Sequence, residues 1–183
     1  MTKTMVQGFV IAGAAVAALA FVGTATAQQG HDAGGHQGAR QSGGAHQAVQ
    51  QWMEEFDRVI ATGRGAGLAF AADQNGYPGP LHVLELADQL ALTPGQRTRA
   101  QALLDAMFAE SKPKSQHLLA AERRLRELFA SGRADEASVR TSVAEVERAL
   151  SEVRLVHLLT HLKTRDLLTE EQRRLYHEAR WGR

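Results

Sequence analysis

Val139, Val143, Val146, Leu150 and Val153 step along the chain by alternating fours and threes, a spacing that puts them on one face of a helix. β-branched residues on that period rather than on strict alternation argue against a strand, and the segment before them obeys the same rule. From Pro94 toward Ala130 the apolar positions include Leu104, Met107, Phe108, Leu118, Leu125 and Leu128. Only Ser131-Gly132-Arg133 separates the two runs, and a link that short folds the second helix back on the first. The expected fold class is therefore all-α: a long antiparallel helical hairpin with short flanking helices. Its second helix should reach Lys163, and Lys112-Pro113-Lys114 should kink the first. Two helices alone cannot bury such a stripe completely, so a homodimer is the expected assembly.

The starts of the helices are marked as well. In Leu92-Thr93-Pro94-Gly95-Gln96, Thr93 is an N-cap, Pro94 occupies the first helical position and Gln96 reaches back. Leu168-Thr169-Glu170-Glu171-Gln172 repeats the arrangement and opens a last helix through Tyr176 to about Trp181. Upstream, Leu81, Leu84, Leu86 and Leu90 predict a helix over Leu81–Ala91. Gly63 to Pro80 is a loop, because Asn75-Gly76 and Tyr77-Pro78-Gly79-Pro80 are turn formers. Trp52, Phe56, Val59 and Ile60 predict a short amphipathic helix that ends at Gly63. Residues 45–80 thus hold this helix and the loop, and residues 81–183 hold the hairpin domain.

The first residues concern the compartment. Lys3 precedes an apolar stretch from Phe9 to Val22, and the small residues Ala25-Thr26-Ala27 follow it, which is a signal-peptide pattern. The stretch is about 14 residues long, short of the roughly 20 needed to span a bilayer. Residues 1–27 are therefore expected to be removed on export to the periplasm, an uncleaved anchor being the alternative. Residues 28–44 are Gly, Gln and His with almost nothing apolar, a disordered tail by composition, on which His31 and His36 ride. About 155 residues remain, enough for one core.

Composition then closes off several functions. The chain has no Cys, which excludes disulfides, thiolate zinc sites, iron–sulfur clusters and cysteine nucleophiles. Twenty-one basic against 20 acidic residues give a net charge of +1, and nothing in that balance attracts nucleic acid. No serine stands in a nucleophile elbow and no Glu-x-x-His pair stands on a helix, so no enzyme activity is expected.

The chemistry that is left belongs to histidine. His157 and His161 are four apart on the second long helix, side by side, and continue the buried stripe of Val153 and Leu150. A turn centred near Gly132 sets His161 beside Leu104 and Asp105, and His157 beside Phe108. The turn near Leu92 and Thr93 likewise sets His82 beside Leu103 and Leu104, with Glu85 one turn away. His82, Asp105, His157 and His161 are thus the candidate ligands of a divalent transition metal: zinc, nickel, cobalt or copper(II). Glu85 and Glu110 compete with Asp105 for the carboxylate position. The competing reading is that the histidines satisfy backbone carbonyls, since a buried imidazole needs a partner.

The two Leu-Thr-x-x-Gln elements, at Leu92–Gln96 and Leu168–Gln172, resemble those of the periplasmic Spy/CpxP group, which has heavy-metal resistance and sensor branches. The similarity extends over Leu81 to Arg180. Val156-His157-Leu158-Leu159-Thr160-His161 is similar to a metal-binding helix of the sensor branch, and Leu81-His82 to the start of its first ligand pair. Leu86 stands where that branch has a second histidine. The resemblance implies a hairpin dimer in the periplasm that serves either metal sensing and resistance or ATP-independent binding of unfolded clients. A partner would be such a client or an envelope signalling protein.

Overall fold

The structure is a computed structural model that describes residues 38–182, with side chains from residue 44 onward. The expected signal peptide and most of the expected tail lie outside the described residues. Six helices follow one another: α1 Gly38–Ala61, α2 Phe70–Asp73, α3 Pro80–Glu85, α4 Pro94–Ala130, α5 Glu136–Leu167 and α6 Glu170–Trp181. Among the described residues there is no strand, and none of their helices is long and apolar enough to cross a membrane.

The long helices α4 and α5 pack against each other. Arg124 pairs with Glu145 near the turn, Leu118 packs with Ala149 and Val153, and Leu104 and Met107 pack with Val156. Rising numbers on one side against falling numbers on the other make the pair antiparallel. Gly132 takes φ +68° at the turn, and Asp135 and Ser138 form a capping box that starts α5. α5 extends beyond the predicted Lys163 to Leu167, because Leu168 is held in extended backbone only one residue ahead of the next cap. Helix α4 runs unbroken through Pro113.

Both predicted cap elements form. Thr93 accepts from the Gln96 backbone and Thr169 from the Gln172 backbone, and each glutamine returns a side-chain oxygen to the threonine N–H. The two elements also meet. Gln96 Nε2 donates to Gln172 Oε1 at 2.8 Å, and Gln172 Nε2 donates to Gln96 Oε1 at 3.1 Å. The same amides reach the carbonyls of Leu167 and Leu90. This closed polar ring sits beside the apolar cluster of Val83, Leu90, Leu92, Ala100, Leu168 and Tyr176 and ties the start of α4 to the start of α6.

Two predicted boundaries move. Helix α3 stops at Glu85 rather than at Ala91, and a run of turns follows in which Ala91 has φ +47° and Leu92 N–H reaches the Ala87 carbonyl. A left-handed residue of this kind closes a helical end, and the extended backbone demanded before Pro94 leaves no room for more helix. Helix α1 begins at Gly38, inside the stretch expected to be tail. Among its residues with described side chains, those at the C-terminal end are docked: Ile60 is wholly buried against Leu118 and Val153, while Trp52 stacks on Phe56 and stays 60% exposed.

Candidate functional site

After α1 the chain crosses α4 and α5 with the short helix α2 in the crossing, and several of its contacts there fall on polar side chains. Gly63, at φ +82°, lies against α4, where Ser111 Oγ donates to its carbonyl at 2.7 Å. Gly65 lies against the ring of His157, and Gly79 against the ring of His161. A Cβ on Gly65 would come within 3.1 Å of His157 Cγ and Nδ1, and one on Gly79 within 2.9 Å of His161 Nε2. Each imidazole therefore fills the space that a glycine leaves open.

His157 and His161 are both buried, at 4% and 7% exposure, on the inward face of α5. The Nδ1–H of His161 donates to the Tyr77 carbonyl at 2.6 Å, and because a carbonyl only accepts, Nε2 carries the lone pair in the neutral ring. The Nε2 of His157 is buried without any hydrogen-bond partner. Burial holds both rings below the usual histidine pKa. For His157 the charge of His161 adds to that effect and the Gly63 backbone opposes it. For His161 the Tyr77 carbonyl and Asp73 oppose it, and His82 reinforces it. Near neutral pH the pair is two uncharged imidazoles, the form in which histidine binds metals.

The remaining predicted ligands are arranged differently. His82, in α3, is half-buried and its Nδ1 meets Glu85 Oε2 at 2.8 Å. It stands close enough to His161 to influence its charge. Asp105 is exposed and accepts from Gln101, one turn back on the outer face of α4. Leu104 takes the inward position at that height. Among the described residues, no three His, Asp or Glu side chains are gathered as they stand into a group able to hold a metal ion. The fit to a metal is thus partial: two neutral imidazoles one turn apart, a buried orphan nitrogen, and a third histidine engaged with Glu85.

The carboxylate that does influence His161 is Asp73, at the end of α2, which sequence reasoning missed. It accepts from the Tyr176 hydroxyl at 2.5 Å and from Arg180 at 3.3 Å. Burial and the Asp73 charge hold the Tyr176 phenol protonated far beyond its ordinary range. Tyr77 and Gly79 are legible only as turn formers, and Gly65 only as part of the loop. Nothing in the local spacing shows that they cover the histidines, since the contacts bridge the Gly63–Pro80 loop and a distant helix.

No known protein family, curated protein or solved structure matches this chain.

Proposed function

We propose that this chain is an exported envelope protein that takes up a divalent transition metal at His157 and His161, in the service of metal resistance or sensing. The observation that carries this reading is the buried, unpartnered Nε2 of His157, one helical turn from an imidazole whose Nδ1 is already engaged. Ligating histidines are commonly oriented in that way, with one ring nitrogen on a carbonyl and the other free. His82 would be the third donor through Nε2, with Glu85 holding its Nδ1. A metal held by these rings would link α3 to α5, where Gly65 and Gly79 already rest on the two imidazoles. The residues themselves orient the rings and keep them neutral. Export is supported by the pattern of residues 1–27, and the compartment by the resemblance of the two Leu-Thr-x-x-Gln elements to the Spy/CpxP group.

Thermal unfolding with and without zinc, nickel, cobalt or copper tests the reading, because a ligand bound only by the folded state raises Tm. A rise that disappears in His157→Ala/His161→Ala supports it. No rise with any of the four metals contradicts it.

A second reading is favoured by α1, where Val49 and Trp52 are 61% and 60% exposed. An apolar face of that kind fits an ATP-independent chaperone for unfolded clients. Strong suppression of client aggregation that ignores chelator, in a protein that retains no metal, selects that reading.

A further inference from the structure

The Nε2 of His157, the atom offered to a metal, is buried out of reach of solvent. An ion can arrive there only when something that covers the ring moves. Parting α4 from α5 would undo the packing of Leu118 on Ala149 and Val153, and of Leu104 and Met107 on Val156. The crossing segment is cheaper to displace, because it buries less apolar surface. Residues 64–75 meet the ring through Gly65. In that stretch Ala69 is buried, Leu68 is half-buried and Phe70 is 53% exposed.

Glycines bound the stretch at both ends. Gly63 has φ +82° and Gly76 has φ +80°, a region that glycine enters without the steric cost other residues carry. Outside these two positions the chain is fixed. On one side Ile60 is wholly buried and Ser111 donates to the Gly63 carbonyl. On the other, the Tyr77 carbonyl holds His161, and Pro78, Gly79 and Pro80 are buried.

Between the two glycines the stretch is held by α6. Buried Asp73 accepts from the Tyr176 hydroxyl and from Arg180. The Phe70 ring meets the Trp181 ring almost at right angles, with centroids 5.4 Å apart. Lifting residues 64–75 off His157 breaks both contacts, and a hydrogen bond to a carboxylate is among the stronger ones.

We propose that residues 64–75 are a flap over His157, hinged at Gly63 and Gly76 and latched to α6 through Asp73, whose opening controls entry of the metal. Its role in metal entry rests on the function proposed above, whereas its opening does not.

Reaction of the histidines with diethyl pyrocarbonate in the metal-free mature protein, read residue by residue by peptide mass spectrometry, tests the flap. His46 and His117 are exposed and report the intrinsic rate. In wild type, His157 should react far more slowly than either. Tyr176→Phe keeps a ring in the core but removes the donor to Asp73, and should speed His157 roughly tenfold or more. Phe70→Ala alters an exposed ring and should speed it several-fold. His161 lies beyond the hinge, so in both variants its rate should stay close to that of wild type. Unfolding of the whole domain would instead expose both rings together. An equal rise at His161, an unchanged His157 rate in both variants, or a wild-type His157 as reactive as His46 would each overturn the proposal. Zinc uptake, measured separately, judges the metal reading: the expected pattern in a protein that binds no zinc would keep the hinged flap and remove its role in metal entry.

Discussion

The ring of His161 occupies the space next to Gly79 so fully that a Cβ there would stand 2.9 Å from its Nε2. The ring cannot easily yield, because Tyr77 holds its other nitrogen at 2.6 Å. Gly79→Ala should therefore destabilise the protein by about 1–3 kcal/mol, the range for overpacking a filled interior. The looser contact of Gly65 with His157, at 3.1 Å, should make Gly65→Ala milder. In urea unfolding, Gly79→Ala combined with His161→Ala should cost less than the sum of the two single changes. Strict additivity would mean that the ring and the glycine do not share that space.

Stability should fall in mild acid. His157 and His161 are held below the ordinary value by burial, so the unfolded chain binds protons first as the pH drops below about 6.5. Stability therefore rises with pH through that window and levels off above it, where both states hold neutral imidazole. Melting curves of metal-free protein between pH 5 and pH 8 should show this slope, and His157→Phe/His161→Phe should flatten it. A variant as pH-dependent as wild type would assign the effect elsewhere.

The reciprocal amides of Gln96 and Gln172 should behave as one unit. Gln96→Leu strips a partner from Gln172 and from the Leu167 carbonyl in a buried setting, with an expected loss of roughly 1–3 kcal/mol. Adding Gln172→Leu should cost much less than the first change did. Denaturant midpoints of the two single variants and the double variant measure this directly.

Pro113 is exposed in the interior of α4, where it lacks the N–H that would bond one turn back. Pro113→Ala should stabilise the protein by up to about 3 kcal/mol, seen as a higher Tm. An unchanged or lower Tm would show that the proline fits a bend which the packing of α4 on α5 requires.

What was legible in the sequence follows the range of the interactions. The period of Val139 to Val153 and the caps at Thr93 and Thr169 are local, and the helices they predict form. Leu86 to Ala91 carries the apolar spacing of a helix yet folds as turns, because that spacing says nothing about the left-handed turn at Ala91, just before Thr93 and Pro94. For the site, the inward orientation of His157 and His161 follows from the α5 stripe alone. Asp105 depended on the register between helices, and one residue is about 100° of helix, enough to exchange buried Leu104 for exposed Asp105. Contacts made by Tyr77, Gly65, Gly79 and Asp73 reach across the chain from a loop without periodicity, and no local pattern reports them.

Calorimetric titration of the mature protein with zinc tests the central claim most directly. Wild type should bind at a site that His157→Ala/His161→Ala removes, that His82→Ala weakens, and that Asp105→Asn and deletion of the His31 and His36 tail leave in place. Affinity should decline as the pH falls through the histidine range near 6.5, because the ligand is the neutral ring. If the double variant binds as wild type does, the buried histidines serve only to hold the loop, and the proposed metal centre is contradicted.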